Sequence, residues 1–174
     1  MMSLHVPVCL GPAFHIWCFT PLKPPIDIGM NNEELGDYVN DCIIKAIAGQ
    51  TKEERPLFLK IAYNGPKAME DLASYDPENL IVGILGGSKG TTRDCFELIH
   101  KASKYGAKVA LFGRKINLSE DPIGLVKLMR KVVEENTTPK EAVKIYHDQL
   151  NKKKLIPDRS LKKDLEITDS ILKL

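Results

Sequence analysis

Short apolar runs alternate along the chain with segments whose apolar residues recur at helical spacing. Four runs predict β-strands, at residues 13–19, 57–63, 80–85 and 108–112. The first run leads into a Pro-rich stretch that predicts a long loop. Because helical segments separate the runs, the pattern predicts an α/β fold with a parallel sheet built from βα units.

The ends of the helical segments carry recognisable start and stop signals. Asn31 or Asn32 can cap a first helix, which Gly49 ends. Further helices are predicted at residues 67–74, before Gly106, at residues 121–135 and at residues 139–150. A charged, Lys-rich tail follows the last of them, over residues 151–174.

The spacing of the strands suits a (β/α)₈ barrel. Their predicted starts at Leu57, Leu80 and Lys108 are 23 and 28 residues apart. A barrel of ~250 residues with eight units has about 31 residues per unit. Closure needs eight strands and only four are predicted, so the chain is either part of a barrel or an open sheet of the flavodoxin-like kind.

Composition and charge narrow the classes of partner. The chain has 174 residues, 43% of them hydrophobic, which suits one globular core. A net charge of +2 does not favour nucleic acid, and no apolar stretch is long enough to predict a membrane span. The cysteines form no CxxC pair, so neither a metal site nor a disulfide framework is predicted, and a cytoplasmic location is expected. The histidines are expected as surface or core residues, and Cys95 as a buried packing residue.

Lys60 interrupts the apolar run at residues 57–63. Strand alternation places it on the same face as Phe58 and Ala62, a face that can point inward in a barrel. A buried lysine holds more of its free amine, which attacks a carbonyl to form a Schiff base. The other interpretation is an edge-strand lysine whose ammonium reaches water.

Glycine loops follow the third and fourth runs. The loop GGSKGTT, residues 86–92, provides closely spaced N–H groups, hydroxyls and the start of a helix, which are the components of an anion site. Gly113 and Arg114 follow the fourth run, and the arginine can add a bidentate charge. Two such neighbouring loops match the phosphate site that barrels commonly form. Neither is a Walker A or GxGxxG motif, and glycines that serve only the turn geometry are the alternative.

Four segments taken together resemble the C-terminal half of the class I aldolase family: LKIAYNGP, LIVGILGGSKGTT, VALFGRKI and EDPIGLVKLMRKVVEENTTPKEAVKIY. The bacterial and archaeal fructose-bisphosphate aldolases and the related thiolase-like aldolases are the most similar branch. The resemblance extends from about Leu57 to Tyr146. It implies a (β/α)₈ fold. It also implies an activity on a phosphorylated small molecule that needs no metal or cofactor. Lys60 and Tyr63 match the family's Schiff-base pattern, and its phosphate loops match Gly86, Gly87, Ser88, Gly113 and Arg114.

The chain also departs from that family. The stretch from Trp17 to Pro21 is similar to a family pattern whose tyrosine is an acid/base, but Phe19 stands at the tyrosine position. Tyr63 lies on the opposite strand face from Lys60, so it does not take over the role of the missing acid/base tyrosine. The family's first four strands have no counterpart, so a homo-oligomer or a missing N-terminal half is expected to complete the barrel.

The sequence thus predicts one incomplete TIM-barrel domain over residues 1–174. It comprises a divergent strand, loop and helix at 1–55, aldolase-like βα units at 56–150 and the charged tail at 151–174. The leading hypothesis is a Schiff-base aldolase-like protein acting on a phosphorylated keto-sugar or ketone, with Lys60 as the catalytic residue. The alternative is a non-catalytic phosphosugar-binding or structural remnant of such a barrel.

Overall fold

The computed structural model describes residues 29–51 and 53–174, together with the backbone of residues 16–19. Two compact units divide the chain. The sheet unit comprises Met1–Leu85 and Tyr105–Leu111, and the helical unit comprises Gly86–Lys104 and Phe112–Leu174. The Pro-rich loop predicted at residues 20–25 lies outside the described residues.

The sheet unit contains a parallel sheet, which confirms the predicted α/β class. Its described strands are β1 (Ile16–Phe19), β2 (Phe58–Ile61), β3 (Ile81–Leu85) and β4 (Val109–Leu111), in the spatial order β1-β2-β3-β4. Helix α1 (Asn32–Ala48) connects β1 to β2, and α2 (Pro66–Tyr75) connects β2 to β3. Each strand lies inside its predicted run, and the arrangement is compatible with part of a barrel.

Local signals set the ends of the two helices in the sheet unit. Asn31 caps α1: its side-chain oxygen accepts hydrogen bonds from the backbone N–H groups of Glu33 and Glu34, at 2.9 and 3.0 Å. The Glu34 carboxylate accepts the Asn31 N–H in return, at 2.9 Å, which completes a capping box. Helix α2 begins at Pro66, whose missing N–H and fixed φ suit the first helical turn.

The two faces of the sheet differ in burial. On one face Leu59 and Val82 are partners in register and are fully buried. On the other face Lys60 is the register partner of Gly83, and Gly83 is the partner of Val109. Phe58 and Lys60 are half-buried there, and Val109 is exposed. The first face therefore belongs to the buried apolar core, and the second face is less buried.

Helices α1 and α2 pack closely at a glycine. A Cβ added at Gly36 would lie 2.7 Å from the Asn64 carbonyl oxygen and 2.9 Å from the Ala68 Cβ. The buried Asn40 amide donates a hydrogen bond to the Ala68 carbonyl oxygen at 2.7 Å. The absence of a side chain at residue 36 thus permits the helix contact that this hydrogen bond fixes.

Gly36→Ala is expected to lower the free energy of unfolding by about 1–3 kcal/mol, because the new methyl group meets backbone that must move away. Urea denaturation followed by circular dichroism measures the change. Gly49→Ala is the matched control, since a Cβ at residue 49 has no neighbour closer than 3.8 Å. Equal stability of the two variants would contradict the close contact.

The helical unit is built mainly from three long helices. They are α3 (Thr92–Lys104), α5 (Pro122–Glu134) and α6 (Pro139–Lys152). Two shorter helices, α4 (Arg114–Asn117) and α7 (Leu161–Asp164), and a final 3₁₀ turn (Ser170–Lys173) complete it. Its core contains the fully buried side chains of Phe96, Leu128, Tyr146 and Leu150. Asp121 and Thr138 cap α5 and α6, as the predicted helix starts require.

The segment after α6 differs from the predicted charged tail, because it folds onto the start of α3. The buried carboxylate of Asp94 accepts hydrogen bonds from the Thr168 N–H at 2.8 Å, from the Thr168 hydroxyl and from the Asp169 N–H at 3.3 Å. The Thr91 hydroxyl donates to the Glu166 carbonyl oxygen at 2.8 Å. These bonds and the buried Leu172 make the segment part of the helical unit.

Among the described residues, no helix is both long and apolar enough to cross a membrane.

Candidate functional site

Lys60 occupies the centre of the sheet unit's more open face. It lies in β2 between Cys18 of β1 and Gly83 of β3, its two partners in register. Burial alternates along β2, with Leu59 and Ile61 buried and Lys60 half-buried, as the predicted strand faces require. Lys60 therefore lies in a central strand, which pairs with a neighbouring strand on each side.

Gly83 leaves room next to Lys60, and an aromatic ring fills part of it. A Cβ at residue 83 would lie 2.5 Å from the Phe58 ring and 3.2 Å from the Val109 carbonyl oxygen. Phe58 is two residues before Lys60 and shares its face. The half-buried lysine thus shares its face with Phe58 and Gly83, and its side chain forms no hydrogen bond or ion pair with the described residues.

The loop after β3 is shaped by its glycines. A Cβ at Gly86 would lie 2.9 Å from the Phe112 ring and 3.3 Å from the Phe112 Cα. Gly87 has a φ of +66°, which L side chains rarely adopt. Gly87 and Ser88 are both exposed. The first loop thus depends on glycine at two positions and presents its middle to solvent.

Two contacts in the helical unit join this loop to the loop after β4. Gly86 stands against Phe112, the residue before Gly113. The Lys115 ammonium donates a hydrogen bond to the Lys89 carbonyl oxygen at 3.2 Å. The predicted phosphate residues Gly86, Gly87, Ser88, Gly113 and Arg114 therefore belong to two loops that meet, whereas Lys60 belongs to the sheet unit.

Arg114 and its neighbour Lys115 differ in burial. Arg114 is exposed, and Lys115 is only 7% exposed. The chain enters α4 immediately after Gly113, so neighbouring side chains point in different directions. Lys115 is the basic residue that sequence reasoning missed, and no local motif marks it.

The start of α3 is already occupied by protein carboxylates, which differs from the anion site that the sequence predicts there. The Thr91 N–H donates to the Asp94 carboxylate at 3.0 Å. The Thr92 N–H donates to the Asp164 carboxylate at 2.9 Å. Asp164 also lies 3.0 Å from the buried His147 ring, a paired core histidine. The helix end therefore stabilises the C-terminal segment rather than presenting those N–H groups to a ligand.

Burial raises the pKa of the Cys95 thiol to about 12, against a smaller lowering by the nearby Lys115 charge. The thiol is 2% exposed and stays protonated near neutral pH. Cys95 is thus the buried packing residue that the sequence predicts. No three metal-ligating side chains are grouped together in the described part of the chain.

Comparisons with known proteins find similarity in part of the chain. No family model matches it. Over 84 residues, 48% of this chain, it is 32% identical to the 3-hydroxy-5-phosphonooxypentane-2,4-dione thiolases of Salmonella typhimurium and Salmonella paratyphi A. It is 36% identical over 63 residues to the thiolase of the same name from Yersinia enterocolitica. The chain covers 28%, 28% and 22% of the lengths of these relatives. These relatives are named as thiolases, and the thiolase-like aldolases are one of the two branches that the sequence motifs resemble.

Proposed function

We propose that this chain contributes the Schiff-base lysine and the phosphate loops of an enzyme that cleaves or forms a carbon–carbon bond in a phosphorylated ketone. The names of its partial relatives support the substrate class, since they are called thiolases of a phosphonooxy dione. The position of Lys60 is the observation that carries the proposal. A half-buried lysine in a central strand, beside a glycine and with no ion-pair partner among the described residues, suits a reactive amine better than a structural one.

In the proposed reaction the Lys60 Nζ adds to the ketone carbon, and loss of water gives a protonated imine. That imine accepts the electron pair released when the bond between its α and β carbons breaks, while the β-hydroxyl loses its proton and the far fragment leaves as a carbonyl compound. The resulting enamine takes up a proton at carbon, and hydrolysis of the imine so formed frees the amine and the second product. We assign binding of the phosphate to the loops at Gly86–Ser88 and Gly113–Arg114, whose N–H groups and arginine suit an anion. Phe19 has no hydroxyl, so we assign the proton transfer to another group.

Phe19 favours one alternative, a non-catalytic protein that binds phosphorylated ketones at the same loops. Without the acid/base that the resemblance implies at this position, substrate binding would not lead to turnover. The two functions differ in one observable, because only the enzyme forms a covalent imine.

Borohydride trapping tests the proposal. The protein is incubated with dihydroxyacetone phosphate or fructose bisphosphate, reduced, and analysed by intact-mass and peptide mass spectrometry. A reduced adduct on Lys60 is the expected result. Folded protein that binds the ligand without an adduct would support the non-catalytic alternative, and an adduct on a different lysine would overturn the assignment of Lys60.

A further inference from the structure

A small pocket in the helical unit is lined by three basic side chains. Lys89 comes from the loop before α3, Lys115 from α4 and Arg159 from the segment after α6. The pocket includes residues 89–92, the second half of the loop in which the sequence predicts an anion site, but it does not include Gly86–Ser88, Gly113 or Arg114. The fold therefore gathers basic residues here from positions far apart in the sequence.

Lys115 is the unusual member of this group. Its side chain is more than nine-tenths buried, and the hydrogen bond given for its ammonium goes to the Lys89 carbonyl oxygen, at 3.2 Å. No carboxylate of the described residues lies within 4.0 Å of it. Buried lysines are rarely left without a counter-charge, because removing an ammonium from water is costly. Lys115 thus has no carboxylate at ion-pair distance among the described residues.

The ionisable side chains around the pocket do not form an ion pair with Lys115. Cys95 lines the pocket as a neutral thiol, since its pKa is raised to about 12. The Glu120 carboxylate accepts hydrogen bonds from the Tyr146 hydroxyl at 3.2 Å and from the Asp158 N–H at 2.8 Å. Asp158 forms an ion pair with Lys89. Arg159, like Lys115, has no carboxylate partner within 4.0 Å among the described residues.

We propose that this pocket binds a small tetrahedral oxyanion of the phosphate or sulfate class between Lys115 and Arg159. The ammonium and the guanidinium would donate charge-assisted hydrogen bonds to its oxygens. Lys89 also lines the pocket, but its charge is already paired with Asp158. This site goes beyond the proposed reaction, because it requires no imine and none of the residues assigned to the substrate phosphate.

Titration of the full chain with inorganic phosphate, followed by the amide resonances of Cys95 and Ser119, tests the site. Saturable shifts are expected for the wild type, and Lys115→Met is expected to weaken binding at least about tenfold. Lys144→Met, a matched change at an exposed position of α6, is expected to leave the affinity unchanged. Arg159→Gln provides a second loss-of-binding variant at a half-buried residue, independent of the folding of Lys115→Met.

Thermal unfolding separates ligand binding from a merely structural role of Lys115. Without phosphate, Lys115→Met is expected to unfold at a higher temperature than the wild type, since a buried charge without a partner is removed. Saturating phosphate should raise the Tm of the wild type but not that of the variant. Wild-type phosphate affinity in folded Lys115→Met or Arg159→Gln would overturn the site. Loss of phosphate binding in Arg114→Gln alone would instead place the ligand at the loops of the proposed function.

Discussion

Lys60→Met is expected to abolish the borohydride-stable adduct with dihydroxyacetone phosphate. Methionine fills a similar volume on the half-buried face of β2, so the sheet should fold, but it has no amine to attack the carbonyl. Any turnover of a phosphorylated ketone should fall by at least about 10⁴-fold, as when the nucleophile of a covalent enzyme is removed. Intact-mass spectrometry after reduction measures the adduct directly.

Two further variants make this result specific. Lys108→Met applies the same chemical change to an exposed lysine just before β4, and it should keep the full adduct. Lys60→Arg keeps the positive charge but forms no imine, so it should bind phosphate and yield no adduct. An adduct of wild-type yield in Lys60→Met would reject Lys60 as the Schiff-base residue, whatever the state of the phosphate loops.

Local chemistry explains which parts of the fold the sequence predicts well. The start of α1 follows from the side chain of Asn31, and the starts of α2 and α5 follow from Pro66 and Pro122. The strand ends are less visible. Leu80 and Tyr63 are buried although they lie outside β3 and β2, so an apolar run marks the buried stretch rather than the hydrogen-bonded one.

The candidate site was predictable only as far as residue types and strand alternation reach. Alternation along β2 is sufficient to separate Lys60 from Leu59 and Ile61. It says nothing about the loop after β4, where a short helix exposes Arg114 and buries Lys115. That choice depends on the backbone at Gly113 and on the loop around Lys89, neither of which has a local pattern.

The packing of the C-terminal segment could not be predicted from its local charge pattern. A Lys-rich stretch is typical of a solvated tail, yet several hydrogen-bond partners of this one lie more than 70 residues earlier in the chain. Thr168 binds Asp94, and Asp164 binds the Thr92 N–H. Hydrogen bonds between distant residues leave no periodicity in the sequence, so the segment's packing could be found only in the structure.

Asp94→Ala is expected to lower the free energy of unfolding of the helical unit by about 3 kcal/mol or more, because it leaves several donors without their acceptor. Those donors are the N–H groups of Thr91, Thr168 and Asp169 and the Thr168 hydroxyl. Urea denaturation followed by circular dichroism measures the loss. Asp148→Ala, at an exposed position of α6, is the control and should change stability by less than about 0.5 kcal/mol.

The contribution of Asp94 should also depend on pH in a defined direction. Burial alone would raise the pKa of Asp94, but hydrogen bonds from Thr168, Thr91 and Asp169 together lower it below its ordinary value of 3.8. A carboxyl whose pKa is lower in the folded state stabilises the fold above its unfolded pKa and loses this contribution as the pH falls through the folded value. The stability difference between wild type and Asp94→Asn should therefore be constant above about pH 5 and shrink below pH 4.

Unfolding curves of the two proteins, compared at each pH, measure this difference. The comparison cancels the contributions of the other carboxylates, including Asp121 and Asp158, whose pKa values are also lowered by lysine partners. A difference that stays constant down to pH 3 would show that the Asp94 charge does not hold the C-terminal segment on α3.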